Sequence, residues 1–213
     1  MCIRDRNIVI EDSLVNLIDV DFANVWISNV TATSASANSG NALAAEGDGT
    51  GSSIYVYNMD APDYSSVTIY SLDSISLEDV DLGSASVSIS PGGTSSTAAG
   101  PSGSSAMIDT LTSGSVTMTR TAPTLDNLDI GALTIMGNSP GSDPIMGENW
   151  DTDGISVSGC GYKVHGTTVT TDYVAGSCSN SASPNMITLG DVDATYTGTC
   201  LLYTSDAADD SRS

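Results

Sequence analysis

Three observations in the sequence imply an all-β fold of short strands stacked coil upon coil. Apolar residues alternate with polar ones in brief segments, such as Val25/Ile27, Ile54/Val56 and Ile75/Leu77. A period of two places alternate side chains on one face of a strand. Each segment then meets Asp, Asn, Ser or Gly and, directly after it, another apolar residue, as in Asn29/Val30, Asn58/Met59 and Asp79/Val80. Such residues tolerate left-handed backbone or bond their own turn, so the chain bends without losing its core face. Finally, the units recur about ten residues apart (Val15 to Val25) and near twenty (Val67 to Val87, Ile54 to Ile75). Two or three short strands per circuit of roughly twenty residues is the arithmetic of a β-solenoid.

Along the chain, the full units are Val15/Leu17/Asp19/Val20, Val25/Ile27/Asn29/Val30, Ile54/Val56/Asn58/Met59 and Val67/Ile69/Ser71/Leu72. Ile75/Leu77/Asp79/Val80, Ile155/Val157/Gly159/Cys160 and Ile187/Leu189/Asp191/Val192 complete the set, with shorter relatives at Ile8/Ile10, Val87/Ile89, Val116/Met118, Leu128/Ile130 and Leu133/Ile135. Strands this short need neighbours to be stable. The Ser/Gly/Ala-rich stretches Ser34–Ser53, Pro91–Ser105 and Asn138–Asp153 are expected to leave the coils as surface loops. Only Asn41–Glu46 has the composition for a helical turn. An antiparallel β-sandwich is the alternative, since it also shows many short strands with turn signals.

Charge narrows the function. The 213 residues carry 26 Asp and Glu, five Lys and Arg, one His and a net charge of -21. A nucleic-acid partner is excluded, because phosphate contacts need a basic surface. No apolar run approaches the ~20 residues of a membrane span. High acidity keeps a protein soluble in saline water, where screening shortens like-charge repulsion to ~8 Å.

Both ends read as foreign sequence. Residues 1–6, Met-Cys-Ile-Arg-Asp-Arg, resemble a translation of the mosaic end of a transposon-based sequencing adapter. Cys200–Asp210 reads as the opposite strand of the same element and its continuation. The expected division is therefore 1–6 adapter-derived, 7–199 a single β-solenoid fragment incomplete at both ends, and 200–213 an adapter-derived tail. This leaves Arg120 and Lys163 as basic residues against 22 Asp and Glu.

It also leaves two cysteines, Cys160 and Cys178, bracketing a segment rich in β-branched residues. One solenoid coil or a hairpin would bring them within bridging range, and a disulfide is expected, in keeping with an extracellular composition. One His and two separated Cys do not match zinc-ligand spacing.

The strings Asn24-Val-Trp-Ile-Ser-Asn-Val-Thr31 and Ser74-Ile-Ser-Leu-Glu-Asp-Val-Asp81 resemble right-handed parallel β-helix repeats of large secreted or cell-surface microbial proteins. That group includes polysaccharide lyases, glycoside hydrolases, phage tailspikes and adhesins, so the resemblance implies a fold and not one activity. A lyase of this group would be expected to use a basic side chain beside calcium-binding acids. The candidates are Arg120 and Lys163, the latter sharing a strand face with His165; a solvated face is the plainer reading. Carboxylate pairs two apart (Asp19/Asp21, Asp79/Asp81, Asp191/Asp193) have the local geometry of a glycosidase pair, but their repetition marks them as structural.

The most specific local motif is Asn149-Trp-Asp151-Thr-Asp153-Gly154. Oxygen ligands at alternate positions before a Gly match half a calcium loop, with Cys160 where the bidentate Glu would stand. Calcium is thus the one cofactor considered. No catalytic residue is assigned, and no aromatic cluster marks a sugar platform. The expected role is a non-catalytic structural or adhesive segment, extracellular or at the cell surface, contacting glycans or other surface proteins. The alternative is a fragment of a carbohydrate-active β-helix enzyme.

Overall fold

The computed structural model describes residues 7–11, 15–17, 24–31, 41–46, 53–62, 64, 66–70, 74–90, 105–119, 123–136, 144–190, 195–198 and 200–204. All regular structure in these residues is strand: β1 Asn7–Glu11, β2 Val15–Leu17, β3 Asn24–Thr31, β4 Asn41–Glu46, β5 Ser53–Asp60, β6 Ser66–Tyr70, β7 Ser74–Asp81 and β8 Ser86–Ser90. Three long strands follow, β9 Ser105–Thr119, β10 Thr124–Met136 and β11 Ile145–Ser158, then β12 Lys163–Thr171, β13 Tyr173–Ser177, β14 Met186–Leu189, β15 Thr195–Gly198 and β16 Leu201–Thr204.

Every pairing among them is parallel. This rules out the antiparallel sandwich. One path runs β1-β3-β5-β7-β9-β10-β11-β12-β14-β16 and a second runs β2-β4-β6-β8 into the later half of β9. Successive circuits of the chain therefore lie one rung apart. The path turns inside the strands: β9 joins the first stack at Ser105–Thr112 and the second at Ser115–Met118.

Columns of in-register side chains fill the interior. One holds Ile27, Val56, Leu77, Ile108 and Leu125 in register. A second holds Val30, Met59, Val80, Leu111, Leu128, Trp150 and Val169. A third holds Leu43, Val67, Val87, Val116, Leu133, Ile155 and Val174. All are buried. Each such aliphatic side chain stabilises the fold by about 1.5–3 kcal/mol relative to exposure, a gain an isolated coil could not realise. The alternating units from Val25/Ile27 to Ile187/Leu189 whose burial is described face inward as their period implied.

Two segments differ from expectation. Asn41–Glu46, inside the Ser34–Ser53 stretch expected to loop out, is strand and neither surface loop nor helical turn. Its alanines favour helix in isolation, but Ala42, Leu43, Ala44 and Ala45 are buried between β2 and β6. Tertiary pairing overrides the local preference. The stretch expected to loop out over Asn138–Asp153 is strand from Ile145 onward, because Ile145 and Trp150 enter the core.

Trp150 also explains two glycines. The first column continues past Leu125 as Gly147 and Gly166. The indole occupies the room their side chains would take and donates from Nε1 to the Leu125 carbonyl at 2.6 Å. A methyl on Gly147 would collide with that carbonyl and lie 2.9 Å from Nε1, and one on Gly166 would lie 2.8 Å from the indole.

Candidate functional site

The corner between the first two columns is the most repetitive polar feature. Asn29, Asn58, Asp79, Thr110, Asn127, Asn149 and Thr168 all have positive φ, between 54° and 61°. Each lies between register-paired neighbours, so the seven stack in successive coils. The bend residues Asn29, Asn58 and Asp79 thus take the left-handed backbone their type allows, as does Gly159 (φ 108°) after Val157. Asn and Asp are the non-glycine residues that best accept this conformation. Their amides join the rungs: Asn58 Nδ2 donates to Asn29 Oδ1 at 2.9 Å, and Asn149 Nδ2 to Asn127 Oδ1 at 2.9 Å.

Carboxylates flank this ladder on both sides. Glu78, Asp109, Asp126 and Glu148 occupy consecutive rungs before the corner. Asp60 and Asp81, then Asp129 and Asp151, stand after it in the same column, with Thr112 between the pairs. Rungs ~4.8 Å apart place like charges next to one another. Hydrogen bonds offset part of this: Asn127 Nδ2 donates to Asp109 Oδ1 at 2.7 Å and the Glu148 N–H to Asp126 Oδ1 at 3.0 Å.

The calcium-loop residues fall within this edge. Asn149 is a corner residue whose amide is engaged in the ladder, and Asp151 and Asp153 are exposed along β11. The segment runs through the coil as strand and does not wrap around a point. Among the described residues, no three His, Cys, Asp or Glu side chains are grouped as a metal site.

Cys160 and Cys178 form the expected disulfide, with Cα atoms 4.9 Å apart. Ser158 pairs with Ser177, so the bridge joins the same exit point of adjacent coils. Asn185, fully buried, reinforces that turn: its Oδ1 accepts from the Tyr162 N–H at 2.9 Å and its Nδ2 donates to the Gly159 carbonyl at 3.0 Å. Beside the bridge lies an open hollow of about 600 Å³ lined by Gly159, Ser177, Ser179, Asn180 and Ser183.

Lys163 and His165 share an outward face, as their spacing implied, but their in-register neighbours are Met146, Met186 and Thr188 rather than carboxylates. Arg120, Asp19, Asp21, Asp191 and Asp193 lie outside the described residues. Near the end, Tyr196 has its phenol pKa pushed up to about 12, first by burial and then by hydrogen bonding with Cys200. Cys200 is a free cysteine, and Leu201–Thr204 pairs with β14.

One feature escaped the sequence reading. Trp26 is not in the core; it is 38% exposed and stacks on Tyr55, itself 40% exposed, with Tyr57 beside it at 49%. An aromatic cluster is therefore present after all. Trp26 and Tyr55 are 29 positions apart, so only the register shows them as neighbours.

Comparison with protein-family models, with curated proteins and with solved structures found no match to this chain. No helix among the described residues is long and apolar enough to cross a membrane.

Proposed function

We propose that this chain is a non-catalytic structural or adhesive segment of a secreted or cell-surface right-handed parallel β-helix protein. The observation that carries the reading is the corner ladder: seven coils present the same backbone bend in register. Such repetition builds an elongated, uniform support rather than a single reactive constellation. The right hand follows from strand twist, which makes parallel crossovers right-handed in nearly all cases. The disulfide is compatible with an oxidising, extracellular setting. The acidic edge favours solubility in salt and disfavours polyanionic partners.

Two measurements together test this. Small-angle scattering should give an elongated particle, and incubation with pectin, xylan and glucan should release no new reducing ends or unsaturated products. A compact scattering profile, or depolymerisation of any of these polymers by the purified chain, overturns the proposal.

A further inference from the structure

We propose that Trp26, Tyr55 and Tyr57 form a binding strip for a neutral, flat-faced polysaccharide chain. The inference rests on the adhesive reading above and assigns it a site. Trp26 and Tyr55 are nearly parallel, at 8°, with ring centroids 5.7 Å apart. Parallel rings touch at about 3.5–4.0 Å, so these two are slid past each other by roughly 4 Å, like shingles. Each keeps part of its face open, which accords with the exposures of 38% and 40%. Tyr57 widens the strip on the same outward face, opposite Ser28 on one rung and Glu78 on the next.

This combination selects the ligand. The backbone of the strand face is already bonded rung to rung, so a peptide cannot add itself there as a strand. A sugar ring offers an apolar C–H face to stack on the aromatics, while the Tyr hydroxyls, Ser28 and Glu78 supply donors and acceptors for its hydroxyl groups. Glu78, Asp60 and a net charge of -21 repel uronate polymers and anionic lipid surfaces. What remains is an uncharged glycan.

The two tryptophans provide the assay, because Trp150 is buried and Trp26 is not. Cellohexaose, xylohexaose and mannohexaose are titrated separately while emission and acrylamide quenching are followed. At least one is expected to shift Trp26 emission to shorter wavelength and protect it from quencher. Tyr55→Ala and Tyr57→Ala should each weaken that binding roughly tenfold or more. Met107→Ala, on the same outward face beyond Ser76, should leave it unchanged. Circular dichroism confirms that each variant is folded; should Tyr55→Ala not fold, the exposed Tyr57→Ala decides.

Absence of any response to the three neutral oligosaccharides overturns the proposal. So does undiminished affinity in the folded tyrosine variants, or a response only to oligogalacturonate or phosphatidylcholine vesicles. None of these results alters the scattering shape or the product assay, so the strip and the structural role fail separately.

Discussion

Asp79 follows two asparagines in the corner ladder, and Asp79→Asn should stabilise the protein. Asn58 donates its amide to Asn29, which leaves the Asn58 carbonyl oxygen facing the rung of Asp79. An ionised carboxylate only accepts and cannot complete the chain of amides. Asparagine can donate to Asn58 and accepts the same left-handed φ of 59°. One added hydrogen bond contributes about 0.5–1.5 kcal/mol. Removing a charge between Glu78 and Asp81 adds a few tenths, about the magnitude of an exposed ion pair. The sum, about 1 kcal/mol, raises Tm by roughly 2–4 °C for a chain of this size. Thermal melts by circular dichroism should compare Asp79→Asn with Glu78→Gln, which removes a neighbouring charge without entering the ladder. In ~1 M salt, where the screening length falls to ~3 Å, the charge contribution fades and the hydrogen bond remains. If Asp79→Asn gains no more than Glu78→Gln, or loses its gain in salt, the ladder does not hold the corner as argued.

Further outcomes follow from the core, the bridge and the end of the chain. Gly147→Ala forces a methyl against the Leu125 carbonyl and the Trp150 indole; it should destabilise by about 1–3 kcal/mol, read as a lower urea midpoint, and an unchanged midpoint would refute the packing argument. Cys160 and Cys178 are 18 positions apart, so reduction should weaken the fold by about 3 kcal/mol in the chain-entropy picture; a Tm indifferent to reductant would show the bridge adds nothing. Tyr196 should ionise above the ordinary tyrosine range, near pH 12, in an alkaline absorbance titration. The folded chain holds that proton more tightly than the unfolded chain, whose value is near 10. The associated stability is intact below pH 10 and fades as pH climbs through about 12. A single wave of ionisation near pH 10 would contradict it.

Much of this architecture was legible because a solenoid writes its core at short range. Val25/Ile27, Ile75/Leu77 and Val87/Ile89 each declare a strand face within three residues, and Asn29 or Asp79 declares the bend beside it. The disulfide was legible for the same reason: Cys160 and Cys178 sit one coil apart. Asn41–Glu46 was misread because alanine carries little strand signal, and its fate depends on β2 and β6. The aromatic strip was hidden for a related cause. Trp26 and Tyr55 become neighbours only once the length of the intervening circuit is known, and the Ser/Gly/Ala-rich sequence between them obscures that length. Asn149-x-Asp151-x-Asp153 shows the converse ambiguity, since it has the spacing of a calcium loop and also follows the alternation of a strand.

The clasp at Cys160–Cys178 has a mechanical consequence. In a stack where each circuit grips only those above and below, damage spreads as a front that peels inward from a frayed end, one turn at a time. A covalent tie between adjacent turns is a place where such a front must halt, since two circuits then have to come away together. Tension or proteolysis acting from the far side of the tie should accordingly erase those outer turns and stop, leaving the Trp150 turn and its aliphatic neighbours standing as a resistant core.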